Sequence, residues 1–184
     1  MIAENDIYVE QIRLLNKSIP RGLMLNVVIA TPFALVMLLQ SNVTMVVSWL
    51  LLFYLTNLFR LVLHKYYFPP AKDKPISTST HSLYVLGSAM AGAVWGSAIF
   101  IIKPESWDAL LPIAMALAGV MAGGVSVLSY LVLSYVAFVI PIAISLASGF
   151  FFIEQQIAMT LGFMVVVYIV ACLYFSRSFN KVLT

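Results

Sequence analysis

Arg60 is the basic residue that lies deepest in an apolar segment, about one helical turn inside its end, and Asn57 lies one turn deeper on the same face. A guanidinium and an amide side by side could bind an anion or a lipid head group. The same arginine could instead extend its charged end to the membrane interface. Both interpretations are open from the residues alone.

His64 and His81 are the two histidines of the chain, and they flank one loop. Two axial histidines on neighbouring helices could hold haem. Haem of this kind usually lies within the membrane spans, whereas these histidines lie at span ends. The alternative is a pair of solvated histidines at the membrane interface, and we expect no resident cofactor or metal.

Trp95 stands between Gly92 and Gly96 in the third apolar segment. Its ring could fill the groove that the glycines leave open, or it could form the wall of a ligand cavity.

Serines and tyrosines gather near the turn between the fourth and fifth segments, where they could line a pocket or bond locally to backbone. Met121 belongs to a set of nine methionines that make adaptable packing surfaces. The candidate ligand-binding residues are therefore Trp95, Met121, Ser126, Tyr130, Arg60 and Asn57.

Motifs for hydrolysis, phosphoryl transfer and dinucleotide binding are absent from the sequence. The carboxylates occur only near the N-terminus and in loops or at their edges. Because proton-coupled carriers usually keep an ionisable residue at mid-membrane, this distribution argues against a pump. We expect no catalytic residues and no enzymatic activity in this chain.

Composition predicts an integral membrane domain. Of the 184 residues, 62% are hydrophobic and only 9% are charged, whereas soluble chains carry about 25% charged residues. The basic residues flank apolar segments, where they suit topology and anionic lipids rather than nucleic acid. Cys172 is the single cysteine, so no disulfide framework exists.

The hydrophobic pattern predicts an all-α bundle of six transmembrane helices behind an N-terminal amphipathic helix at residues 3–19, which Pro20 and Gly22 should stop. The amphipathic helix could lie on the membrane surface or cap the bundle. The predicted spans lie at about 23–39, 43–63, 82–102, 109–128, 132–153 and 157–175.

Basic residues divide unequally between the two sides of such a bundle. Nine of the ten fall on one side, and only Lys103 falls on the other. This positive-inside bias predicts that both termini are cytoplasmic.

Small residues recur at every fourth position in the third and fourth segments. Ser88, Gly92 and Gly96 form one stripe, and Gly119 and Gly123 form another. In lipid, small residues let helix backbones approach closely. We therefore predict that these two helices meet along a packing seam.

The runs "RLLNKSIPRGLMLN", "AGAVWG" and "LAGVMAGGVSVLSYL", with Arg60 near the end of the second segment, carry a family resemblance. The chain resembles the MASE-like multi-pass N-terminal sensor region that precedes GGDEF, EAL or histidine kinase domains in bacterial signalling proteins. Residues 176–184 would then begin a connector helix. Because no output domain follows them, the chain is either cut from a longer protein or a free-standing relative.

The resemblance implies a sensory input module of the bacterial inner membrane, acting as a homodimer. It would detect a small apolar or amphipathic ligand, or a state of the bilayer, and relay the change to a cytoplasmic output domain through the sixth helix. Two alternatives share the architecture: a small facilitator or channel for a neutral solute, and a haem-binding membrane protein.

Overall fold

A computed structural model describes residues 2–67, 78–104, 106–151 and 156–182. These residues form six α-helices and contain no strand. The helices are α1 (Ile2–Leu38), α2 (Val43–Tyr67), α3 (Thr78–Ile102), α4 (Trp107–Leu128), α5 (Val132–Phe151) and α6 (Gln156–Val182). Each contains a stretch long and apolar enough to cross a membrane. The predicted six-helix, all-α bundle is confirmed, and the chain is a multi-pass membrane protein.

The predicted break after residue 19 is wrong, because α1 continues through Pro20 and Pro32. Its buried face explains this: Leu15, Ile19 and Leu23 are all buried, at four-residue spacing on both sides of the first proline. Both proline rings are exposed. A bundle tolerates proline inside a helix where neighbouring groups stabilise the freed carbonyl.

Short turns connect α1 to α2 and α4 to α5 at the predicted places, whereas residues 68–77 between α2 and α3 and residues 152–155 between α5 and α6 lie outside the described residues. The backbone N–H of Thr44 donates to Asn42 Oδ1 at 2.9 Å at the start of α2. Ser106 is the N-cap of α4, where its hydroxyl accepts from the backbone N–H of Ala109 at 3.3 Å. The α4–α5 turn falls within residues 129–131, inside the predicted interval. Residues 176–182, predicted as the start of a connector, continue α6.

The seam of small residues on α3 packs against α5, not against α4 as predicted. A Cβ on Gly92 would collide with the carbonyl oxygen of Phe138. A Cβ on Gly96 would collide with the Ser145 hydroxyl and lie 3.0 Å from the Pro141 carbonyl oxygen. The α3–α5 contact is the most extensive in the bundle. Glycine is needed at both positions because backbone fills the space where a side chain would stand.

The second stripe does not form the predicted seam. Gly119 and Gly123 are exposed, and a Cβ on either would have no neighbour within 4 Å. The packing face of α4 consists instead of larger side chains, including Leu117, Val120 and Met121. These fill the interior, so the glycines are turned away from it.

One end of the bundle gathers the start of α1, the end of α2, the start of α3, the α4–α5 turn and the end of α6. Tyr84 donates to Asn16 Oδ1 at 3.0 Å, and Ser18 donates to the Val127 carbonyl at 3.0 Å. We call this the basic end, because Arg13, Lys17, Arg21, Lys65, Arg177 and Lys181 belong to it.

Candidate functional site: a cavity around Arg60

Arg60 points into the bundle rather than away from it. The buried positions of α2 are Val46, Trp49, Phe53 and Thr56, and Arg60 is the next residue in this series of three- and four-residue steps. The arginine is partly buried. A Cβ on Gly87 of α3 would lie 3.8 Å from its Nε atom. The helical repeat of α2 therefore directs the guanidinium toward the other helices.

Two adjoining cavities share Arg60 and Leu128 in their walls. The first, the inner cavity, has a volume of about 30 Å³ and is lined by residues of α1, α2, α3 and the end of α4. Among the described residues, its polar lining consists of Arg60, His64, Tyr84 and Ser88. The second, the side groove, has a volume of about 70 Å³ and lies between α1 and α4. We call the two together the Arg60 site.

Within the described part of the chain, the Arg60 site contains a positive charge and no negative one. Residues 11–72 include no Asp or Glu, and none of the described residues that line either cavity is acidic. Among the residues that the structure describes, Arg60 has no hydrogen-bond or ion-pair partner. Because charges withdrawn from water are normally paired, this guanidinium has the electrostatics of an anion-binding group.

Further polar atoms near Arg60 also lack partners in the described part of the chain. They are His64 Nδ1, in the wall of the inner cavity, and Asn57 Oδ1, one turn before Arg60. Asn57 Nδ2 donates to the carbonyl of Phe53 at 2.9 Å, and Asn57 lines neither cavity. The site thus offers a cation and an imidazole, which can hold a charged, hydrogen-bonding group.

Trp95 lies in a packed aromatic cluster with Phe33, Trp49 and Phe53, not in the wall of either cavity. The ring centroids of Trp95 and Phe53 are 5.1 Å apart. The indole N–H of Trp95 donates to Asn26 Oδ1 at 3.3 Å. Of the two interpretations of Trp95, the structure favours packing.

The remaining sequence candidates are separate from Arg60. Met121 is fully buried, and its carbonyl accepts from the Tyr135 hydroxyl at 3.0 Å. Ser126 is exposed and donates to the carbonyl of Gly123 at 2.8 Å. The Tyr130 ring packs on Phe179, with centroids 6.2 Å apart. None of the three lines the Arg60 site.

The two histidines differ in position. His64 lines the inner cavity, whereas His81 is not among the lining residues. Paired ligation of haem stays a prediction. The described residues contain no cluster of three or more metal-ligating side chains.

Sequence reasoning missed Asn26, which lines the side groove while its Oδ1 accepts from Trp95. A polar amide within an apolar span was the available signal. It also missed Tyr84 and the cavity role of Ser88. No sequence signal identifies these two, because their role depends on the helix that they face.

A group of hydrogen bonds joins α6 to the α4–α5 turn beside the site. The Ser129 hydroxyl donates to the Ser176 hydroxyl at 2.8 Å, and both serines are fully buried. Asn180 Nδ2 donates to the carbonyls of Ser129 at 2.9 Å and Tyr130 at 3.0 Å. We call these four residues the α6 clasp. Leu128 of the cavity wall directly precedes Ser129. One peptide bond and the hydrogen bonds of the α6 clasp therefore connect the site to α6.

Comparisons of this chain with protein-family models, with curated proteins and with solved structures found no match.

Proposed function

We propose that this chain is a transmembrane sensory input module without catalytic activity of its own. A ligand in the Arg60 site, or a bilayer property that alters the site, changes the position of α6. The resemblance supports a position in the bacterial inner membrane and an output domain of the GGDEF, EAL or histidine kinase type as partner, and the bias in basic residues supports cytoplasmic termini. The homodimer expected from that resemblance remains a prediction.

The connection between Leu128 and the α6 clasp carries this proposal. Leu128 lies in the walls of both cavities, and the next residue is hydrogen-bonded to α6. A shift of the end of α4 must move Ser129, and Ser129 must then move α6 or break buried hydrogen bonds. Coupling of two sites requires such a physical link between them.

Spin labels can measure the coupling in the full chain. The labels are placed at Lys65→Cys on α2 and Arg177→Cys on α6, both exposed positions, in a Cys172→Ala background. The inter-label distance is measured in nanodiscs of neutral phosphatidylcholine and of the same lipid with an acidic lipid or fatty acid. We expect two distance populations whose ratio changes with the lipid composition.

The clasp variant Asn180→Ala should reduce that change, because it removes two hydrogen bonds between α6 and the turn. Ser178→Ala is the matched control, since Ser178 is an exposed α6 residue outside the clasp. An unchanged distance in every membrane, or a full response in the clasp variant, contradicts the proposal.

A further inference from the structure

We propose that the Arg60 site binds an acidic amphiphile, with its single anionic head group against Arg60 and its apolar chain in the side groove between α1 and α4. This inference rests on the proposed function, since it specifies the ligand class of the same site.

The missing counter-charge is the first argument. Arg60 is directed inward by the helical repeat of α2, and none of the described residues that line the two cavities carries a carboxylate. An unpaired charge away from water is destabilising, and since the described residues supply no partner for Arg60, an anionic ligand would neutralise it. A carboxylate or phosphate group fits the planar guanidinium because two parallel hydrogen bonds can form.

The position and surroundings of Arg60 suit a head group. The arginine lies seven residues before the end of α2 at Tyr67, hence about two turns from the basic end. His64 Nδ1 has no partner in the described part of the chain, and this nitrogen is a hydrogen-bond donor when it carries the proton. The Ser88 hydroxyl and the Tyr84 ring complete the polar side of the inner cavity.

The side groove supplies a route for an apolar chain. A Cβ on Gly22 would lie 2.8 Å from Val127 Cγ1, so α1 and α4 touch at the end of the groove nearest the basic end. Farther from that end the lining includes Leu25, which is 51% exposed, and the exposed Gly123. The groove is therefore open at the surface of the bundle that faces lipid.

The sizes of the two cavities also favour an amphiphile. Volumes of about 30 and 70 Å³ admit a head group but not a whole lipid. The remainder of the molecule must lie in the open part of the groove, where the apolar lining suits a hydrocarbon chain better than a hydrated ion. A free anion would interact with the charge of Arg60 but would not account for the apolar lining of the side groove.

Binding is tested with the full chain in phosphatidylcholine nanodiscs. The probes are oleate, lysophosphatidate, methyl oleate and inorganic phosphate, each in a separate titration. Bound molecules are counted by native mass spectrometry, and thermal unfolding is followed by tryptophan fluorescence. We expect one molecule of oleate or lysophosphatidate per chain and a rise in Tm with concentration, because a ligand that binds only the folded state stabilises it.

Methyl oleate and inorganic phosphate should have little effect on Tm. Equal stabilisation by methyl oleate would show that the negative charge of the ligand is not needed for binding. Equal stabilisation by inorganic phosphate would show an ion site without a place for the chain. Either result overturns the proposal, as does an absence of stabilisation by both acidic amphiphiles.

Variants locate the site. Arg60→Gln should weaken oleate binding about tenfold or more, which is the effect of one charge-assisted hydrogen-bonded pair. Lys65→Gln removes the same charge from an exposed position of the same helix and should bind as the wild type does. Gly123→Leu should also weaken binding, since its side chain enters the groove while a Cβ there has no neighbour within 4 Å. Full oleate affinity in Arg60→Gln overturns the proposal.

Folding and function are separable from this test. Without an acid ligand, Arg60→Gln should unfold at no lower temperature than the wild type, because it removes an unpaired charge. If oleate binds at Arg60 but the α6 spin-label distances do not respond, the sensor proposal fails and the amphiphile proposal stands. If the distances respond to membrane composition but oleate and lysophosphatidate do not bind, the amphiphile proposal fails and the sensor proposal stands.

Discussion

At the residue scale, the direction in which a side chain points decides whether it can belong to a binding site. Arg60 lies near the end of an apolar segment, where an arginine commonly extends to the interface. In the structure it follows Trp49, Phe53 and Thr56 on the buried face of α2. Asn57, the residue that the sequence pairs with it, bonds to its own helix and lines neither cavity. Arg60 therefore lines the cavities, whereas Asn57 makes a hydrogen bond within its own helix.

Trp95 allows a prediction at the same scale. Trp95→Ala removes a buried ring that contacts Phe33, Trp49 and Phe53, and we expect it to lower the free energy of unfolding by about 3–5 kcal/mol. Phe100→Ala on the same helix removes a ring that is 48% exposed and should cost much less. Unfolding in mixed detergent micelles measures both. Equal losses in the two variants would contradict the packing role of Trp95.

At the element scale, the helices differ in how their small residues are used. On α3, Gly92 and Gly96 face the α5 backbone at distances that exclude a side chain. On α4, a Cβ on Gly119 or Gly123 would have no neighbour within 4 Å, and Gly123 borders the open side groove. The same four-residue spacing thus produces a packed seam in one helix and an exposed surface in the other.

Replacing one glycine of each stripe by leucine distinguishes the packed stripe from the exposed one. Gly92→Leu should prevent normal packing of α3 on α5, because its Cβ would overlap the Phe138 carbonyl. Gly119→Leu should leave the fold and its Tm close to those of the wild type. Gel filtration and thermal unfolding in detergent measure the two outcomes. A stable, normally folded Gly92→Leu protein would contradict the observed seam. A change of oligomeric mass in Gly119→Leu, with an intact fold, would place that stripe between copies of the chain.

The continuity of α1 gives a second prediction for an element. Proline inside a helix removes a hydrogen bond and costs about 3 kcal/mol relative to alanine. Because α1 runs through the exposed Pro20, Pro20→Ala should keep the structure and raise the Tm. Circular dichroism and thermal unfolding measure this result. A loss of helicity or stability would indicate that the proline is needed at a break between two helices.

At the scale of the whole molecule, the basic end combines the positive charge, the Arg60 site and the α6 clasp. Connections across this end join α1 to α3, α1 to α4, and α6 to the α4–α5 turn. The opposite end includes Lys103. The asymmetry in basic residues therefore coincides with the end that contains the Arg60 site and these three connections.

The proposed orientation of the molecule can be tested by labelling. A maleimide that does not cross membranes is applied to cells that express Arg177→Cys or Lys103→Cys in the Cys172→Ala background. Both positions are exposed. We expect Lys103→Cys to react in intact cells and Arg177→Cys to react only after the inner membrane is opened, as the positive-inside rule requires. The opposite pattern would place the basic end outside the cytoplasm.

The number and positions of the apolar helices were predictable from the sequence, because the hydrocarbon thickness requires about 20 apolar residues per span and charges mark the ends. The turn between α4 and α5 was also predicted, although no charged residue marks it. The predicted helix break at Pro20 was wrong, since local proline chemistry was outweighed by the continuous buried face of Leu15, Ile19 and Leu23. Local propensity is a weak guide where tertiary contacts extend across the residue in question.

The sequence by itself determined that six apolar helices form, that they carry two stripes of small residues, and that one arginine lies inside a span without a neighbouring carboxylate. Only the tertiary structure decided which stripe is packed, which helix receives it, and that Arg60 turns toward the interior. The physical reason is that hydrophobicity drives insertion but does not select partners within lipid. Partners are selected by close contact between particular helix faces, and that contact depends on all six helices together.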